Sequence, residues 1–113
     1  MGQWITIATL AECPPGTALE RVAGDRIVAL SNVDGVLHAI DGVCPHQGGP
    51  IGKGCLAGAI ITCPWHGWQF DVRTGASLLR PSLKQASFTV RVQGDTIQVC
   101  IEDDPNSLDK AKL

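Results

Sequence analysis

Two short segments, Cys44-Pro45-His46 and Cys63-Pro64-Trp65-His66, constrain this chain more than anything else in it. Each brings a thiol and an imidazole within two or three residues of one another, and sixteen residues, Gln47 to Thr62, separate them. Thiolates suit iron–sulfur clusters, zinc and copper(I), whereas imidazoles suit zinc and iron. Pro45 and Pro64 hold φ near about −65° and remove a backbone donor directly after each cysteine. Gly48, Gly49 and Gly67 follow the histidines, where the backbone must turn tightly or approach a bulky inorganic group. Stiff, tightly turned loops of this kind can present their side chains to a centre lying between them. A structural zinc module is one reading of the same four residues, but finger spacing groups the two Cys together and the two His together. Here each pair is mixed. A Cys–His nucleophile needs one activated thiol and an orienting group, and it gives the duplicated loop no purpose.

The rest of the chain reads as short strands. Trp4 to Ala8 alternates, and Pro14-Pro15-Gly16 then turns the chain. Leu19 to Val22 is a second short strand. Arg26 to Val33 and Val36 to Asp41 flank Asp34-Gly35, a two-residue hairpin signal, and lead into the first loop at Val43. Ala59 to Thr62 enters the second loop, Trp68 to Val72 leaves it, and Arg73-Thr74-Gly75 turns. Both loops should therefore sit at the tips of hairpin-like units. Ser87 to Gln93 and Asp95 to Glu102 form a last hairpin around Gly94-Asp95. Regularly spaced short strands with turn signals imply an all-β, antiparallel sandwich or barrel. The polar tail, 103–113, is expected to lie outside it.

At 113 residues the chain fits one domain, with a modest core built from Val, Ile, Leu and Ala, since it has only two Phe, three Trp and no Tyr. A net charge of −2 with no basic run argues against nucleic acid as a partner, and the run Glu102-Asp103-Asp104 reads as a solvated tail. No apolar stretch approaches a membrane span. The start, MGQWITIATL, has neither a positive segment nor a cleavage site and is expected to be a mature N-terminus. Beyond the two loop cysteines, Cys13, Cys55 and Cys100 form an odd remainder without framework spacing, which suits a reducing, cytoplasmic compartment. Cys55 reads as a small packing residue, and Cys100, in TIQVCIE, as a strand residue, buried or at an edge. His38 is the third histidine; packing or a hydrogen bond accounts for it, and no redox role is assigned.

Through CPHQGGPIG (Cys44 to Gly52) and CPWHGWQF (Cys63 to Phe70), the chain resembles the Rieske [2Fe–2S] family. The resemblance implies one cluster, with Cys44 and Cys63 on one iron and His46 and His66 on the other. It also implies a β-sandwich, here 1–102, with a small cluster-binding subdomain at about 43–72. Leu79 to Leu83, with Pro81, resembles the proline-bearing loop that covers the cluster in that family. Respiratory and photosynthetic members carry a disulfide between the two ligand loops. At the matching positions this chain has Gly49 and Trp65, which points to a carrier outside a membrane-bound cytochrome complex. High-potential members place a Ser and a Tyr where this chain has Trp68 and Phe70. Without those hydroxyls to stabilise added negative charge, a low potential is expected within the Rieske range.

Oxygenase subunits that contain such a centre also need a mononuclear iron held by two His and a carboxylate. With His46 and His66 committed, only His38 remains. The resemblance therefore implies a ferredoxin that passes one electron from a flavin-containing reductase to a terminal oxygenase of the aromatic-ring dioxygenase type. The small subunit of an assimilatory NAD(P)H nitrite reductase, acting with its large subunit, is the alternative.

Overall fold

The structure, a computed structural model, describes residues 2–45 and 47–101. His46 and the expected tail at 103–113 lie outside the described residues. Among the described residues, nine strands form two antiparallel sheets: β1 (Gln3–Thr9), β2 (Ala18–Ala23), β3 (Arg26–Val33), β4 (Val36–Asp41), β5 (Cys55–Ala57), β6 (Ile60–Thr62), β7 (Gln69–Asp71), β8 (Ser87–Gln93) and β9 (Thr96–Ile101). The larger sheet runs β1-β9-β8-β4-β3-β2, and the smaller runs β5-β6-β7. Apart from β5, every strand falls where alternation and turn residues place one. At Asp34-Gly35 both residues take positive φ, 53° and 92°, and Val33 pairs with Val36 across the turn.

The chain termini of the larger sheet meet, because β1 pairs with β9 from Gln3↔Ile101 to Thr9↔Thr96. The two edge strands, β1 and β2, are bridged by one side chain rather than by a ladder. Arg21 Nε on β2 donates to the Ile7 carbonyl of β1 at 3.1 Å, and its Nη2 lies 3.5 Å from Glu12 Oε2. Glu12 in turn accepts from the Thr9 amide at 2.8 Å, and this contact is the main reason its carboxyl lies below the ordinary value. Strands β3 and β4 each send buried side chains to two cores, one within the larger sheet's near-barrel and one beneath the small sheet.

Strand β3 shows that division most clearly. Val28 and Leu30 face the barrel interior with Ile7, Ala23, Ala39, Ile97 and Val99. Ala29 faces the other way and joins Ile40, Ile51, Ile61, Phe70 and Val72 in a second core beneath the small sheet. A strand buried on both faces therefore reads as one nearly continuous apolar run. The second core welds the small sheet to the barrel, and Cys44 and Cys63 belong to it. Among the described residues, no helix is long and apolar enough to cross a membrane.

Two expectations need correction. β5 was not expected at all: three residues, CLA, are too few to show a period, and they form a strand because Cys55, Leu56 and Ala57 pair with Thr62, Ile61 and Ile60. Cys55 was expected to pack, yet on this edge strand it is exposed. Cys100 is half-buried on β9, opposite Trp4 and Thr89.

Candidate metal centre

The first loop follows β4 and is closed at its base by an antiparallel bridge between Val43 and Pro50. The second caps the β6–β7 hairpin, beyond the Thr62↔Gln69 pair. Their backbones follow one plan. The Cys44 amide donates to the Gly49 carbonyl at 2.9 Å, and the Cys63 amide donates to the Trp68 carbonyl at 2.7 Å, each spanning five residues. In both loops the third and fourth residues after the cysteine are left-handed: Gln47 and Gly48 at φ 67° and 75°, His66 and Gly67 at 66° and 74°. Glycine adopts this region without strain, whereas a histidine there is uncommon and marks a position that the surroundings over-determine.

Superposing the loops by these bonds aligns Cys44 with Cys63 and Gln47 with His66. By sequence offset His46 then aligns with Trp65, so the two histidines stand one step out of register. The two loops have the same length between these bonds, so the different Cys–His spacing comes from where the histidine stands in the loop and not from an inserted residue. His66 Nε2 lies 3.0 Å from Gln47 Oε1. The amide oxygen only accepts, so Nε2 donates in this contact.

Burial divides the site. Cys44 and Cys63 are 0% and 1% exposed, whereas His66 stands at the surface. Sulfur thus lies on the inner side and imidazole on the outer. No disulfide forms among the described cysteines. Among the described residues, no three His, Cys, Asp or Glu side chains are grouped to hold a single metal ion. Gly49 completes the pocket: a Cβ there would lie 2.6 Å from Cys63 Sγ and 3.0 Å from Trp65 Cβ. The first loop therefore passes hard against the second cysteine's sulfur, and only a residue without a side chain fits. Two thiols, one surface imidazole and a backbone lined by glycine fit an inorganic cluster seated between the loops.

A third segment, 77–84, closes over the site's flank. Ser77 is buried, and its Oγ accepts from the Arg80 amide at 3.2 Å. The Leu78 amide donates to the Gln69 carbonyl at 3.0 Å, which ties the segment to the second loop. Buried Gln85 ties it to the first, its Nε2 donating to the Asp41 and Val43 carbonyls at 3.1 and 2.6 Å. Gln47 and Gln85 are the positioning residues that sequence reading missed. Gln47 lies within CPHQGGPIG without being one of its Cys or His residues, Gln85 lies in no motif, and the roles of both depend on loops 19 and more than 40 residues away. Trp68 is half-buried against the second core, and Trp65 is 48% exposed. His38 stands on β4 opposite Ser31, on the base sheet. It lies near Asp71, whose carboxyl is held below the usual range mainly by its hydrogen bond to Arg73, with a smaller contribution from His38.

A near-barrel of short strands with two Cys-and-His loops at one tip defines a small electron-transfer type of iron–sulfur domain. The chain belongs to the Rieske [2Fe–2S] domain family, whose model matches residues 3–98. It is 32% identical over 98 residues to the ferredoxin component of a naphthalene 1,2-dioxygenase system from Pseudomonas aeruginosa, covering 86% of this chain and 94% of that one. It superposes with TM-score 0.79 and 26% identity on a chain of the complex of reduced oxygenase and oxidised ferredoxin in carbazole 1,9a-dioxygenase, covering 89% and 95%. A Mycobacterium tuberculosis protein described as an NADH-dependent nitrite reductase small subunit shares the fold, with TM-score 0.81 and 24% identity over 92% and 99%. Membership brings one Rieske-type [2Fe–2S] cluster and sets the zinc reading aside.

Proposed function

We propose that the chain is a one-electron carrier, a Rieske-type ferredoxin that takes electrons from a flavin-containing reductase and delivers them to a terminal oxygenase of the aromatic-ring dioxygenase type. Cys44 and Cys63 would hold the inner iron, and His46 and His66 the outer one. When bound, the cluster supplies a one-electron couple at a higher potential than an all-cysteine site would. The protein's part is to seat the sulfur side in the second core, where water is excluded, and to bring His66 to the surface, where a partner can approach. That inside-to-outside polarity of the ligand set is the observation that carries the reading. Gln47 would orient His66 through Nε2, in the way that outer partners commonly fix a metal-bound imidazole. The functional unit would be 1–102, with 43–72 as the cluster-binding part, and the cytoplasm as its compartment.

The nitrite reductase alternative shares the fold alone, whereas the dioxygenase ferredoxins share the sequence as well. The test is anaerobic purification, metal and sulfide analysis, and electron paramagnetic resonance of the reduced protein, followed by mixing with the oxygenase component of the P. aeruginosa naphthalene 1,2-dioxygenase system. About two irons and two sulfides per chain, and reoxidation by the oxygenase component, are expected. Absence of iron and sulfide, or a reduced protein that the oxygenase component leaves reduced, would end the reading.

A further inference from the structure

Beside His66 lies an open groove of about 370 Å³, lined by His66, Gly67, Trp68, Gln69, Leu78 and Leu79. Leu78 is 46% exposed and Leu79 is 70% exposed, adjacent leucines on a segment whose ends are fastened by Ser77 and Gln85. Fastened apolar side chains held out in water are costly unless something covers them, and such patches mark interaction sites. Trp65, 48% exposed, borders the same end of the molecule. The charge there is equally one-sided. Segments 44–50, 63–69 and 77–84 contain no Asp or Glu, and their cations are Arg80 and Lys84, although the chain as a whole carries a net −2.

We infer that Leu78, Leu79 and Arg80 form the docking surface for the electron acceptor, the terminal oxygenase, and that this partner presents an apolar side chain to the groove and a carboxylate to Arg80. This inference rests on the carrier reading and makes it more specific. An electron leaving by His66 needs the acceptor close by, and this groove is lined in part by His66 itself. Apolar anchors in a recess carry most of the energy of small interfaces, whereas a single rim charge mainly affects encounter rate. Association through this surface is therefore driven by the leucines and depends little on salt.

The test is stopped-flow transfer from dithionite-reduced holoprotein to the oxidised oxygenase component of the P. aeruginosa naphthalene 1,2-dioxygenase system. The wild-type rate should change by less than about threefold between about 50 and 300 mM NaCl, because only one or two charges take part. Leu79→Asp should lower the second-order rate by about tenfold or more, and Leu79→Asn should do so by a smaller factor. Val36→Asp, at the far end of β4, should leave it unchanged. Iron content, midpoint potential and oxidation by ferricyanide report whether each variant keeps an intact centre, and they should match wild type. Wild-type transfer that survives both leucine substitutions, or that falls steeply with salt, overturns the docking surface alone. Absence of wild-type transfer from an intact centre overturns the carrier reading and the surface with it.

Discussion

Replacing Gly49 by alanine tests how the two loops fit together. The added methyl would lie 2.6 Å from Cys63 Sγ and 3.0 Å from Trp65 Cβ. Ordinary contacts between such atoms are about 3.5–4.0 Å, so the sulfur or the first loop must move by roughly 1 Å. Cys63 is 1% exposed and packs in the second core beside Phe70 and Ile61, so it has little room to retreat. Overpacking of this kind costs about 1–3 kcal/mol, and for a domain of this size roughly 5–20 °C in melting temperature. Displacing a sulfur that the site needs should also deplete the cluster before the fold fails. The assay is iron and sulfide per chain together with visible circular dichroism, alongside thermal melting. Gly48→Ala is the control: its φ of 75° makes alanine strained, yet nothing lies within 4 Å of the new methyl. It should cost about 1 kcal/mol and keep its iron. Full iron and sulfide with an unchanged spectrum in Gly49→Ala would refute the proposed fit between loop and sulfur.

Among the described residues Phe70 is the largest side chain buried completely, and Phe70→Ala should cost about 3–5 kcal/mol in urea unfolding; a shift below about 1 kcal/mol would mean the second core is not what joins the sheets. Asp71, with its carboxyl held below the ordinary value by Arg73, contributes stability that is present above about pH 3.9 and is lost as pH falls through its folded value. Asp71→Asn should therefore flatten the acid limb of a stability–pH curve, and an identical limb would count against the pairing. Burial pushes the Cys13 thiol up, so iodoacetamide should label exposed Cys55 in the native protein and reach Cys13 only on unfolding; equal labelling rates would contradict the two environments. With Trp68 and Phe70 offering no hydroxyl to the site, protein-film voltammetry should place the midpoint near the lower end of the range of roughly −150 to +300 mV, and a strongly positive value would reject that reading.

The sequence by itself determined the pieces whose information is local. Asp34-Gly35 names its hairpin because few residues tolerate consecutive positive φ. The apolar run Ile27 to Leu30 in β3, in a segment bounded by turns, declares a strand, and Cys44, His46, Cys63 and His66 declare a metal centre because their chemistry and spacing allow few others. Tertiary structure alone decided what depends on distant segments meeting. β5 exists because β6 offers it a ladder, and the same edge position leaves Cys55 in solvent. Gly49 matters because Cys63, fourteen positions later in the chain, comes to rest against it. Gln85 matters because it reaches back to the carbonyls of Asp41 and Val43. Nothing local to Leu78 and Leu79 shows that they are exposed, and the anchoring of their segment at Ser77 and Gln85 holds them outward beside His66. Local propensity is written residue by residue, whereas close approach between loops is set by how two cores share one strand, and no window along the chain contains both sides of such a contact.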